Sequence, residues 1–323
     1  MSVRLRSHAI SNDPIAEEAA QAQLAQGGSA VGAVLAGFFA AAGGYSGVLL
    51  SPLSVLVSGT GAGGRAFDGR LRQPGLGTKR PRGFQPEETV PLAARVAVPA
   101  SVAAAAVANA YDGAKSLGSL VKHGIQRAER AGAEARAEVL GRVRAVGQTA
   151  LSEQSFTRPF LRLAGPSEGG LVTQTDFASV SELDHAAVVR RVADADYLEV
   201  PWAEAWSDEA LPKELGIGAV VCAVDVRGVF AAAAYFRPAD GFELDDLALL
   251  APLAAVPTQR GVPRQAPGSA LPAPAPIAVR CNADGVPVEV CAEPGARAVN
   301  YGSPSRLSLV RDPATREVQA QRR

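Results

Sequence analysis

Residues 19–64 contain no aspartate, glutamate, lysine or arginine, and residues 29–57 within them are strongly apolar. A stretch of that length without charge has to be buried, either in a protein interior or in a membrane. Gly32, Gly37, Gly43, Gly44, Gly47 and Pro52 interrupt it. Its longest smooth run therefore falls short of the ~20 residues a membrane span needs. The pattern predicts a buried helix followed by a buried central strand, inside a layered fold whose other elements cover both. Ser29 caps that helix, which runs to about residue 42, and the strand is expected over 48–57. A helix precedes them: Asp13 caps it, Pro14 suits its first turn, Glu17 and Glu18 favour its positive end, and Gly27-Gly28 stops it.

Further along, a Gly-rich turn over 59–64 leads to Arg65-Ala66-Phe67-Asp68-Gly69-Arg70, and 71–90 reads as a polar loop carrying Lys79, Arg80 and Arg82. Residues 101–149 predict a long helical region. Its arginines over 127–144 interleave with Glu129, Glu134 and Glu138, the pattern of a solvated helix face rather than a nucleic-acid surface. The second half is β-rich. Strands are expected over 218–225 and 229–236, joined at Arg227-Gly228. A Pro-rich connection over 258–275 follows, then a hairpin of 277–281 with 286–291, and a last one of 307–310 with 317–320 around Asp312-Pro313. Helices first and strands later predict an α+β layered sandwich.

The chain has 323 residues, 47% of them hydrophobic, enough for one large core or two modest ones. Lys+Arg and Asp+Glu are both 32, so no net field favours nucleic acid or an anionic membrane. Cys222, Cys281 and Cys291 form an odd set without a CxxC. Cys281 and Cys291 stand at unequal distances from the Asn282-Ala283-Asp284-Gly285 turn, which predicts free buried thiols in a reducing compartment. His8, His123 and His185 are far apart and lack partners at metal-ligand spacing, so no metal or cofactor is expected. Two arginines near the N-terminus without an apolar run behind them give no secretory signal, and a cytoplasmic location is expected. The Ala- and Gly-rich, charge-poor first hundred residues offer more apolar surface than a trimmed domain covers, which predicts oligomerisation.

The order of several segments resembles the γ-glutamyltransferase (γ-glutamyltranspeptidase) family of N-terminal-nucleophile hydrolases. Ser11-Asn12-Asp13-Pro14-Ile15-Ala16 with Gly27-Gly28-Ser29-Ala30-Val31 resembles that family's opening helix and its Gly-Gly-Asn-Ala-Val stop. Phe67-Asp68-Gly69-Arg70 resembles its Leu-Asp-Gly-Arg segment, and Val96-Ala97-Val98-Pro99-Ala100-Ser101-Val102 its Val-Pro-Gly-Thr-Val helix start. Gly169-Gly170-Leu171-Val172-Thr173 with Asp176-Phe177 resembles its Gly-Gly-Leu-Leu-Thr-x-x-Asp-Leu element. Cys222-Ala223-Val224-Asp225 resembles the Ser-Val-Val-Asp just after the nucleophile, and Glu293-Pro294-Gly295-Ala296-Arg297 the Ser-Pro-Gly-Gly-Ser-Arg loop. These pieces span most of the chain in the family's order, although the chain is shorter. The resemblance implies a four-layer αββα sandwich of the N-terminal-nucleophile hydrolase type, shortened. It also implies a single domain over 1–323, with 1–215 like the family's large subunit and 216–323 like its small one.

In that family the precursor cleaves itself before a threonine, whose hydroxyl then attacks a γ-glutamyl carbonyl, as in glutathione. Aligned on Val224-Asp225, the threonine's place falls on Gly218, which has no side chain to attack with. Between Ser207 and Thr258 there is no serine or threonine, only Cys222, about 13 Å along the strand from Gly218. The family's substrate-contacting Ser-Ser pair falls on Pro272-Ala273, and its oxyanion-hole Gly-Gly on Gly295-Ala296. Its acidic ligands for the glutamyl amine have no clear counterpart, although Glu243-Leu244-Asp245-Asp246 resembles them in type. By the resemblance Arg70 would hold the α-carboxylate; equally, it is a structural arginine bonding the loop near Asp68.

Three functions compete at this point. The first is an uncleaved, inactive γ-glutamyltransferase-like partner or scaffold subunit, working with its own copies or with an active paralogue. The second is an amidohydrolase or acyltransferase with a relocated nucleophile: Ser303 or Ser305 beside Tyr301, or Cys222. The third is a sensor of a γ-glutamyl or other carboxylate ligand at Arg70. None involves nucleic acid or a membrane.

Overall fold

Asp13 does start a helix. In the computed structural model its carboxylate accepts the Ile15 N–H (3.1 Å), and Ser29 Oγ accepts the Gly32 N–H (3.0 Å) at the start of the next helix. The structure describes residues 6–78, 83–112, 114–178, 182–203 and 215–322. The Lys79, Arg80 and Arg82 of the expected polar loop lie outside them.

In chain order the first part comprises β1 (His8–Ser11), α1 (Pro14–Ala25), α2 (Ala30–Gly44), β2 (Leu53–Ser58), β3 (Arg65–Gly69) and β4 (Gly83–Phe84). Then come α3 (Ser101–Asp112), α4 (Leu117–Arg130), α5 (Glu134–Val146), α6 (Gln154–Ala164), β5 (Asp184–Ala186), β6 (Val188–Val192) and β7 (Ala195–Glu199). The last part holds β8 (Ile217–Val224), β9 (Phe230–Arg237), β10 (Phe242–Leu244), β11 (Leu249–Ala251), β12 (Thr258–Gln259), β13 (Ile277–Cys281), β14 (Pro287–Ala292), β15 (Leu307–Arg311) and β16 (Val318–Arg322).

Two six-stranded antiparallel sheets organise the molecule, in the orders β1-β8-β9-β2-β3-β5 and β16-β15-β14-β13-β7-β6. Both take strands from either side of residue 215. Alternation along β8 and β9 sends each strand's two faces to different cores. Ala219, Val221, Ala223, Ala233 and Tyr235 pack with α1, α2 and α3, whereas Val220, Cys222, Val224, Ala232 and Ala234 meet Val279, Val290 and Leu309 of the second sheet. This is an α+β layered sandwich. Its shortening falls on the fourth layer: among the described residues no helix makes a substantial contact with the second sheet, whose outer face is held by Arg190–Glu199 and Arg280–Glu289–Arg306 ion pairs.

The charge-free stretch behaves as its composition demands. Residues 30–43 of α2 are all buried. A Cβ on Gly43 would lie 2.0 Å from the Gly124 carbonyl oxygen, so the glycine that interrupts the apolar run lets α2 and α4 touch backbone to backbone. Of the charge-poor first hundred residues on which oligomerisation was expected, this helix is covered within the chain. No helix among the described residues is long and apolar enough to cross a membrane.

Three expectations change. The central strand begins at Leu53 rather than 48, because Pro52 has no N–H to give the ladder and the Ser51 hydroxyl binds back to the Val48 carbonyl (2.9 Å), turning the chain. The helical region of 101–149 divides into three helices; α4 ends at Arg130, and Gly132, two residues on, takes a φ of +68° that no helix accommodates. The arginine face is not wholly solvated either, since Arg136 is buried and its Nε lacks a partner. Strands β1, β6 and β7 were not expected at all.

Candidate functional site

Strand β8 places Gly218 at one end of the first sheet. β1 pairs with β8 as far as Ser11, and the Asn12 side chain continues the ladder: it donates to the Gly218 carbonyl (3.1 Å) and accepts the Val220 N–H (2.9 Å). A Cβ built on Gly218 would point at the loop after β14, 3.3 Å from the Gly295 nitrogen and 3.4 Å from its Cα. The fold thus brings together Gly218 and Gly295, 77 residues apart in the sequence, as the resemblance implies. Ala296 differs: its N–H is given to the Glu293 carbonyl (3.2 Å), closing the turn.

Gly218 is half-buried, and the Phe236 ring would lie 3.8 Å from a Cβ built on it. Its cross-strand partner Phe236 packs in a buried apolar cluster with Leu71, Ala97, Leu215, Ala255 and Leu271. Leu215 is 1% exposed, so the residue three positions before Gly218 is part of the interior. The turn between them depends on Gly216, at φ +79°, where a Cβ would sit 2.4 Å from the Arg237 carbonyl oxygen. Ala273, in place of the second serine of the family's pair, is also buried.

Cys222 lies fully buried between the sheets, and burial, with Cys291 and Glu289 nearby, pushes its thiol well above the ordinary range. The three cysteines are free. Ser303 Oγ accepts the Ser305 N–H (3.1 Å) in a surface turn. Tyr301 beside them is occupied elsewhere: it donates to Glu199, and burial together with that carboxylate raises its phenol. Glu243-Leu244-Asp245-Asp246 does not reach Arg70; Asp246 pairs with Arg162 of α6 (2.5 Å).

Arg70 follows β3, at the same end of the sheet as Gly218. The chain of pairs Ala219–Tyr235–Leu53–Gly69 puts three strand spacings between them, about 14 Å. Arg70 donates from Nε and Nη2 to the two oxygens of Asp68 (both 2.9 Å), and its guanidinium lies 4.8 Å over the Trp202 ring. Arg72 reaches the same carboxylate (3.3 Å). Burial alone would raise the Asp68 carboxyl, but these hydrogen bonds and charges outweigh it and hold it below the usual value. Burial pushes the Arg72 guanidinium down. Arg70 thus bonds the Asp68 carboxylate rather than loop carbonyls.

Arg70 and Arg72 nevertheless line a cavity of about 400 Å³ together with Asp176, Glu182, His185 and residues 267–270. Gly218 and Gly295 are not among its lining residues. Arg72, Glu182 and His185 did not stand out in the sequence. Their one legible signal was the two-residue spacing of Arg70 and Arg72, which puts both on one side of an extended segment.

No protein-family model matches this chain, and no curated protein does. Solved structures do. A variant of LmbA2991 is 14% identical, with 99% of this chain and 97% of that one covered and a TM-score of 0.75. The cephalosporin acylase from Bacillus halodurans is 12% identical, with 98% and 94% covered and a TM-score of 0.68. The γ-glutamyltranspeptidase of Helicobacter pylori is 19% identical over 62% of this chain and 71% of that one, with a TM-score of 0.50. The chain has the N-terminal-nucleophile hydrolase fold that its motif order implied. The likeness is one of architecture, at identities too low to carry residue roles across.

Proposed function

We propose that this chain is a γ-glutamyltransferase-like protein that has lost acyl transfer and serves as a partner or scaffold subunit. One observation carries the reading: the position beside the Gly295 nitrogen is a glycine, and its cross-strand neighbour Phe236 belongs to an apolar cluster with Leu71 and Leu215. Acyl transfer of this kind needs a nucleophilic side chain beside its oxyanion donors, and a free α-amine to activate it. Gly218 offers no such side chain, in the intact chain its nitrogen is a peptide nitrogen rather than a free amine, and Ala296 has given its N–H to a turn. Cys222 makes a poor substitute, because the thiolate is the reactive form and its buried thiol resists ionising.

A γ-glutamyl anilide assay, followed by treatment with an electrophilic glutamine analogue and peptide mapping, tests this. The expected outcome is no turnover and no adduct. An adduct on Ser303, Ser305 or Cys222 replaces this reading with that of a relocated nucleophile. Light scattering on the purified protein separates the partner readings: a homo-oligomer points to self-association, and a monomer to a different subunit such as an active paralogue.

A further inference from the structure

Helix α5 turns outward a face that is complementary to itself, and we infer that this chain forms a homodimer through the groove between α4 and α5. The inference names the partner as a second copy and the surface as this groove. It rests on the partner half of the reading above and not on the loss of acyl transfer. The surface is also a different one from the charge-poor first hundred residues.

The argument starts from a glycine that the fold does not explain. The core side of α5 is formed by Arg136, Val139, Leu140 and Val143. Away from it, Ala137, Glu138, Gly141, Arg144 and Ala145 line an open groove of about 560 Å³ with Ile125 and Glu129 of α4. Glycine in mid-helix weakens the helix, so its presence calls for a close approach. Gly43 and Gly124 find theirs inside the chain, where a Cβ would lie 2.0 and 2.3 Å from a carbonyl oxygen of the neighbouring helix. A Cβ on Gly141 would meet no described residue within 4 Å. The bare backbone there is open to a helix from outside, and Ala137 and Ala145, one turn to either side, keep it open.

Glu138 and Arg144 decide which helix that is. They stand on opposite flanks of Gly141, about 120° apart around the helix, and cannot reach each other. Neither has a hydrogen bond or ion pair with a described residue. A two-fold axis through Gly141, perpendicular to α5, lays a second α5 antiparallel on the first. Residues equally far before and after Gly141 then come opposite each other. Glu138 of each copy faces Arg144 of the other, Ala137 faces Ala145, and the two glycines meet at the centre. Small residues let the helix axes come within the ~8 Å of a tight pair, while the flanking charges set the register. A contact of this kind closes on itself, so it stops at a dimer.

The association should be modest. The 13 residues of α5 make about 20 Å of helix, and one helix pair buries less than the ~800 Å² per partner of a standard interface. The groove also holds two carboxylates and one guanidinium, so each copy keeps one negative charge unmatched. A Kd of about 1–100 µM is expected.

Sedimentation velocity of the full chain from about 1 to 300 µM tests this, and a reversible monomer–dimer equilibrium in that range is the expected result. Gly141→Lys should weaken the dimer about thirtyfold or more without lowering Tm at about 1 µM, because lysine favours the helix and the monomer has room for it. Glu138→Arg alone should weaken it about tenfold. Combining Glu138→Arg with Arg144→Glu should restore it to within about threefold of the wild type, an effect that only this register produces. A chain monomeric up to about 300 µM, an open-ended assembly, a dimer indifferent to Gly141→Lys, or a double variant no tighter than Glu138→Arg overturns the proposal. Turnover in the anilide assay would sink the lost chemistry and leave a dimer standing, whereas a monomer without turnover would sink only the dimer.

Discussion

The two halves of one sheet end have gone different ways. Around Gly218 the ground is apolar and closed, with Phe236, Leu71, Leu215 and Leu271 packed together. About 14 Å away, three strands along, Arg70 and Arg72 keep a polar cavity open. The contrast separates two properties that an enzyme of this fold would hold together: a reacting atom beside its oxyanion donors, and charged groups placed to hold a ligand. Residue 218 has no side chain to serve as the first, and around Arg70 the charged groups are held in place by their own ion pairs.

The largest effect should come from the open side. Asp68→Ala strands two buried guanidiniums without their counter-charge and should lower stability by about 3–5 kcal/mol, read as a shift in the urea midpoint at constant slope. A loss below about 1 kcal/mol would mean that the arginines are solvated and the cavity is not a built site. On the closed side, Leu215→Ala should cost about 2–4 kcal/mol, whereas Ile217→Ala, two residues on and 58% exposed, should cost under about 0.5 kcal/mol. Equal small losses from both would show the segment before Gly218 to be loosely attached.

Acid distinguishes the two sides more gently. The Asp68 carboxyl lies below its ordinary value in the folded chain, so the stability it contributes is complete above that value, near pH 4. It is lost as the pH falls through the lower folded value. Unfolding curves should therefore weaken below about pH 4, and Asp68→Asn should remove that part of the dependence. The smallest effect is expected from Gly218→Ala. Its Cβ would lie 3.3 Å from the Gly295 nitrogen, a tight contact that the loop can relieve, and the cost should stay under about 1 kcal/mol with no gain of activity.

Much of the closed side was legible in the sequence. The caps at Asp13 and Ser29 and the β8–β9 hairpin follow from local rules, and the meeting of Gly218 with Gly295 followed from the order of the motifs. Leu215 did not stand out, because no local pattern says whether a residue before a strand turns inward; Gly216 sets that direction only against the carbonyl of Arg237. Strands β6 and β7 do not read as strands because Arg190, Arg191, Asp194 and Asp196 crowd them with charge; the β7–β13 and β6–β7 ladders hold them on the sheet, with the Arg190–Glu199 and Arg191–Asp196 pairs across the latter. The open side was harder still. Glu182 and Arg72 stand 110 residues apart, and only the β3–β5 pairing joins them. Strand 48–57 starts later than its apolar pattern suggests, because Val48, Leu49 and Leu50 are buried as a strand would be while Pro52 breaks the ladder.

Intact-mass spectrometry of the freshly purified protein tests the proposed loss of self-cleavage at its root. A chain that cannot cleave itself at the head of β8 should appear as one species at 33.1 kDa, unchanged after prolonged incubation. Two fragments meeting at the bond between Ile217 and Gly218 would contradict the account.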